Sequence, residues 1–250
     1  MSGLLGLSPF EMALLGGICF AAGLVRGFSG FALSALVMAS AATLIAPIEL
    51  IPILWFLEMS ASLQMARGGF QDANRTIAIL LVVGNFVGWP IGLSLTTSLP
   101  GDTSSLIALI IILALAALQL GKLRIPGLAS RTGTLVSGVV AGLAAGIAHV
   151  GGMVVALYVL SQNQPARTMR GTLVVYLFLA SFGSLFYLFY FGVMTQQAAV
   201  RALVLIPITM LGVWAGTKFF NPKWERYYRP FCLSLLMFLA SVGLLRLGLR

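Results

Sequence analysis

Apolar residues run along this chain in stretches of about 13 to 23, broken at Gly, Pro and charged positions. In the first half these stretches are 9–25, 29–46, 48–66, 76–97 and 104–121; in the second they are 133–148, 150–162, 171–193, 198–217 and 230–247. Neither strand alternation nor a polar helical face separates them, so each reads as a buried or lipid-facing helix. The first two of each half are short. Seventeen helical residues reach about 26 Å, marginal for a hydrocarbon core of about 30 Å, so each leading pair is expected to be a broken hairpin rather than two full spans. The predicted fold is an all-α polytopic membrane protein with about eight to ten membrane segments.

The ten segments repeat. Displaced by 119 positions, Ala22-Gly23-Leu24-x-x-Gly27 falls on Ala141-Gly142-Leu143-x-x-Gly146, and Ala61-Ser62 falls on Ala180-Ser181. Displaced by 124, Gly88-x-x-x-Gly92 falls on Gly212-x-x-x-Gly216 and Lys122 on Arg246. The halves are therefore 1–126 and 127–250, two transmembrane repeats in one integral membrane domain.

Composition agrees: 60% of residues are hydrophobic and 8% charged, against roughly 25% charged in soluble domains. The net charge of +9 sits singly or in pairs between apolar stretches, which excludes a nucleic-acid face and points to the positive-inside rule. If each half crosses an odd number of times, eleven of the 15 Lys and Arg fall on one side. Only Arg201, Arg246 and Arg250 then fall on the other, with Arg26 left at a break; the alternative parity divides them eight to six. Inverted repeats are thus expected, with Arg246 and Arg250 on the unfavoured side. The first stretch lacks a basic leader and reads as a retained membrane segment. Asn74-Arg75-Thr76 matches a glycosylation sequon on the cytoplasmic side, where it has no use. Cys19 and Cys232 lie inside apolar stretches and read as packing residues.

Inverted repeats with discontinuous helices bind substrate where the half-helix ends meet. The breaks here are Gly23 to Ala32 and Gly142 to Met153. A helix starting after each would aim free N–H groups and its positive end inward, an anion site that needs no metal. The candidate substrate-binding residues are Arg26, Gly27, Ser29 and Gly30 at the first break, and His149, Gly151 and Gly152 at the second. The same glycines, with Gly84/Gly88/Gly92, Gly138/Gly142/Gly146 and Gly212/Gly216, also have the spacing of close helix packing. Arg26 reads either as a substrate contact or as a snorkelling interfacial charge, and His149 as a proton carrier or a hydrogen-bonded structural residue. Glu58, the deepest acid, reads as a carrier of a coupling proton or ion, or as half of an ion pair. Asn85, Gln64 and Gln119 read as interhelical hydrogen-bonding groups, and Arg167 and Arg170 as topogenic charges.

An enzyme is not expected. One histidine, six dispersed carboxylates and two separated cysteines supply no metal cluster or nucleophile constellation, and no cofactor is implied. No phosphate-binding loop is present, so active transport would be secondary.

At its two break motifs the chain resembles the sulfite exporter TauE/SafE family, also called the toluene sulfonate uptake permease family. The likeness is carried by Gly23-Leu-Val-Arg-Gly-Phe-Ser-Gly30-Phe-Ala with Pro47 and Pro52, by Gly142 to Gly152 with Pro165, and by the duplicated half. Phe31-Ala32 after Gly30 departs from the family's glycine-rich run. The resemblance implies seven or eight spans, location in the bacterial cytoplasmic membrane, and a permease for sulfite, sulfonates or related small anions. Alternating access around the paired breaks is the expected mechanism; a passive anion channel and a non-transporting scaffold are the alternatives. The expected partners are a small anionic substrate, the lipid bilayer and a coupling proton or ion, and a homo-oligomer is left open.

Overall fold

The computed structural model describes residues 8–121, 130–162, 164–219 and 225–248. The 126/127 boundary between the halves lies outside these residues, as do Lys122, Lys223 and Arg250. The described residues form ten helices and no strand: α1 Pro9–Ser29, α2 Leu33–Ala41, α3 Pro47–Asp72, α4 Arg75–Ser98, α5 Gly101–Leu120, α6 Arg131–Ala148, α7 Gly151–Ser161, α8 Ala166–Tyr190, α9 Gln196–Lys218 and α10 Glu225–Gly248.

Eight of these, all but α2 and α7, contain stretches long and apolar enough to cross a membrane. With 9 and 11 residues, α2 and α7 reach only about 14 and 17 Å. The leading pair of each half is therefore one full-length helix and one half-length helix, where the sequence reads both members as short. The division falls later than the sequence suggests in the first half: α1 runs on through Arg26 to Ser29, and α2 begins only at Leu33.

Helix ends follow local chemistry. Ser8 and Glu11 form a reciprocal capping box at the start of α1, with Pro9 in the first turn. Ser130 and Thr195 cap α6 and α9. Asn74 of the sequon caps α4, its Oδ1 accepting from Ile77 N at 3.2 Å. At the breaks both long helices end in the left-handed region, at Gly30 with φ 82° and at His149 with φ 56°. Those two positions stand 119 apart, the displacement that aligns the halves. Ala32 also has positive φ, 77°, a conformation that costs an L-residue roughly 1–2 kcal/mol.

Two seams of backbone-to-backbone packing hold the helices. In one, α4 lies on α6; in the other, α1 lies on α9. A Cβ added at Gly84, Gly88 or Gly92 would stand 2.0–2.3 Å from a carbonyl of Leu135, Val139 or Leu143. The α1–α9 seam is built alike: a Cβ added at Gly23 or Gly27 would stand 2.4 or 2.3 Å from the Thr209 or Val213 carbonyl, and one at Gly216 would stand 2.0 Å from the Leu24 carbonyl. Where lipid removes the hydrophobic drive between helices, such close approach is a main source of association. The packing reading of these glycines therefore holds. Each seam joins a first helix of one half to the fourth helix of the other, while α3 packs on α8 and α5 on α10.

The seams also place the helix ends. The end of α1 lies beside the start of α8, where Arg170 Nη2 donates to Gly27 O at 2.5 Å. The α3–α4 turn joins them through Asn74 N, which donates to Thr172 Oγ1 at 3.0 Å. Arg75, Arg167 and Arg170 thus gather at one end of the bundle. The end of α6 lies at the other, where Thr96 Oγ1 donates to the Gly146 and Ile147 carbonyls at 3.2 Å. Arg201, one of the charges on the unfavoured side, is paired there with Glu49, Nη1 to Oε2 3.1 Å.

Candidate functional site

The first break folds its own polar groups inward. Arg26, in the last turn of α1, is fully buried. Its Nε lies 3.1 Å from Glu58 Oε2, its Nη2 donates to Ser62 Oγ at 3.0 Å, and its Nη1 donates to Gly30 O. The other carboxylate oxygen, Oε1, accepts from Ser34 Oγ at 2.8 Å and from Ser34 N at 3.3 Å. Ala32 has no side chain able to cap α2, so Glu58, reaching across from α3, is the anion at that helix N-terminus. Of the two readings for each residue, Glu58 is in an ion pair and Arg26 is buried rather than snorkelling at an interface.

The remaining first-break candidates are taken up locally. Ser29 Oγ has the Val25 and Phe31 carbonyls in reach of its one hydrogen, at 2.7 and 2.8 Å, and accepts from Phe31 N at 3.2 Å; it stabilises the turn. Gly27 sits in the α1–α9 seam. Gly30 supplies the left-handed turn and lies under Arg170, whose Cγ would be 2.9 Å from an added Cβ. Arg170 is thus more than a loop charge: it covers the break and holds a terminal carbonyl of α1.

The second break borders a cavity. Its wall is made by His149, Gly151 and Gly152 of the break, Ala145 of α6, Glu58 of α3, Asn85 and Trp89 of α4, and Tyr176, Leu177, Ala180, Ser181 and Ser184 of α8. Open space for the centre of a water-sized sphere is about 30 Å³, room for a group of a few atoms. No side chain of the capping residue Val150 closes α7, and Gly151 and Gly152 of its first turn lie in the cavity wall. His149 Nδ1 is buried and has no hydrogen-bond partner among the described residues. Tyr176 OH donates to Asn85 Oδ1 at 2.9 Å, which leaves the Asn85 amide hydrogens as donors. Glu58, Asn85 and Tyr176 each stand near the middle of a long helix, so the cavity lies at mid-depth of the bundle.

Seven substrate residues and Glu58 are expected from the sequence; four of these eight, His149, Gly151, Gly152 and Glu58, border one cavity. Arg26 stands behind Glu58, and Gly27, Ser29 and Gly30 are not in the wall. Three contributors escape sequence reasoning. Ser34 follows the break without marking itself, Tyr176 is one aromatic among many, and Asn85 does make an interhelical bond but also faces the cavity. The only signal for Tyr176 is a hydroxyl deep in an apolar stretch, where it needs a partner. Gln119, by contrast, does what was expected, donating from α5 to the Met153 carbonyl at 3.2 Å.

Among the described residues no group of three His, Cys, Asp or Glu could hold a metal. The site has donors of hydrogen bonds, the positive end of a half-length helix and one ion-paired acid. Such a set has the chemistry for holding a small anion by direct contact. The family model described as Sulfite exporter TauE/SafE matches residues 15–242, from α1 into α10. No curated protein and no solved structure matches the chain.

Proposed function

Because the chain belongs to the sulfite exporter TauE/SafE family, a family of multi-pass membrane transporters and not of enzymes, we propose that it is a secondary permease for small sulfur oxyanions. Sulfite and short sulfonates are the substrates in view, and the bacterial cytoplasmic membrane is the location. The observation that carries the reading is the cavity at the start of α7, walled by His149, Gly151, Gly152, Asn85 and Tyr176. Its size favours an anion of a few atoms over an aryl sulfonate, which would need the walls to part.

The two halves are, in this reading, inverted repeats, and what rocks about the cavity is one cross-half helix pair against the other, α1–α9 against α4–α6. The pairing of α1 with α9 and of α4 with α6 supports it, because exchanging the halves reproduces the pairing. So does the placement of the α1 and α6 ends at opposite ends of the bundle. Tight glycine seams make each pair a rigid body, so movement is concentrated at the strained breaks. Glu58, which borders both the cavity and Arg26, is the candidate carrier of a coupling proton.

Purified protein in liposomes, given a panel of sulfite, sulfate, methanesulfonate and toluene sulfonate, should move sulfite with saturation and respond to an imposed proton gradient. Unsaturable conductance would instead identify a channel. Well-folded protein that moves none of the panel would end the proposal.

A further inference from the structure

The N-termini of α2 and α7 are alike in geometry and unlike in what faces them. Gly30 and His149, both in the left-handed region, fix the register between the breaks at 119 positions. The same displacement sets Ser62 against Ser181, Arg26 against Ala145 and Glu58 against Leu177. Ala145, Leu177 and Ser181 all border the cavity. In the second half there is open space where the first half has a guanidinium and a carboxylate.

In the first half the Glu58 carboxylate stands as a bound anion would. One oxygen takes the Ser34 N–H and hydroxyl; the other faces Arg26 Nε at 3.1 Å, and Ser62 steadies the guanidinium. A guanidinium, a helix N-terminal N–H and two hydroxyls are a complete donor set for an oxyanion. We infer that Arg26, Ser34 and Ser62 form a second oxyanion site, filled in this state by Glu58 as a tethered ligand, which a free oxyanion enters once Glu58 takes up a proton and swings aside.

The exchange balances in charge. The proton comes from water reaching the cavity and binds a Glu58 oxygen; the neutral carboxyl loses its hold on Arg26, and the incoming anion restores the compensation that a buried guanidinium requires. One proton and one anion therefore occupy the protein together. The charged or titratable groups around the carboxylate are Arg26 from α1, His149 from the α6–α7 break and Tyr176 from α8; α2 and α4 present Ser34 and Asn85. The inference shares its substrate class with the permease reading but concerns the other break.

The test counts bound anions. Full-length protein in detergent is dialysed to equilibrium against labelled sulfite at one pH, as wild type, Glu58→Ala, and Glu58→Ala with Arg26→Ala. Glu58→Ala should bind one more sulfite per chain than wild type, and sulfite should raise its Tm further; the double variant should return to the wild-type number. Equal numbers for wild type and Glu58→Ala would overturn the inference while leaving the second-break site intact. No sulfite on wild type but one on Glu58→Ala would uphold it and remove the second-break reading. Should Glu58→Ala not remain monodisperse, the neutral isostere Glu58→Gln is read instead, and no excess sulfite on that variant overturns the inference equally.

Discussion

The two breaks share one backbone plan and differ in their contents. Each follows a long helix that ends in the left-handed region, and each opens a half-length helix. The first is sealed by Arg26, Glu58, Ser34 and Ser62, joined by an ion pair and by hydrogen bonds from Arg26 to Ser62 and from Ser34 to Glu58. The second, with Ala145 and Leu177 in the corresponding places, keeps a cavity lined by donors. The geometry occurs twice, and a few side chains decide that one break is closed and the other open.

The largest effect is expected from unbalancing the sealed break. Arg26→Ala leaves a buried carboxylate without its counter-charge, which costs about 3–5 kcal/mol and should show as loss of folded protein or of thermal stability. Converting both residues to their second-half counterparts, Arg26→Ala with Glu58→Leu, should recover most of that loss while abolishing any response to a proton gradient. If the double variant is no more stable than the single one, the pair is not what seals the break.

The seams should respond alike where the breaks do not. Gly27→Ala and Gly88→Ala each drive a Cβ to about the same contact, 2.3 and 2.0 Å from a facing carbonyl, and each should cost about 1–3 kcal/mol as an overpacking change. Gly68→Ala, with nothing within 4 Å, is the control. A large difference between the two seams, read in the thermal stability of purified protein, would break the symmetry of the halves.

Much of this was legible from the pattern of apolar stretches: ten segments, the leading pair of each half short, and the two glycine breaks. The breaks could be read because a left-handed turn and a close helix crossing both demand glycine, which leaves a mark in the sequence. The contents could not. Arg26 and Glu58 lie 32 positions apart, and nothing in local spacing says that α1 and α3 bring them together. Asn85 and Tyr176, 91 positions apart, likewise meet only through the packing of α4 on α8. Ser29, which looked like an anion donor beside two glycines, turns out to spend its hydroxyl on the α1–α2 turn.

Smaller effects separate contact from support. His149→Asn keeps a residue that tolerates positive φ but shortens the side chain at the cavity wall; it should raise KM for sulfite about tenfold, or roughly 1.4 kcal/mol, with little change in thermal stability. An unchanged KM would return His149 to a structural role. Ser29→Ala should do the reverse, costing about 1 kcal/mol of stability and leaving KM as it was.

The central claim is that the substrate anion sits in the cavity at the second break. Ala180 borders that cavity, whereas its first-half counterpart Ala61 is packed in the core. Sulfite flux into liposomes should therefore be measured for wild type and for Ala180→Leu, which fills the space without removing a donor. The account predicts saturable flux in the wild type and its loss in a variant that remains folded; saturable flux with an unchanged KM in folded Ala180→Leu would contradict it.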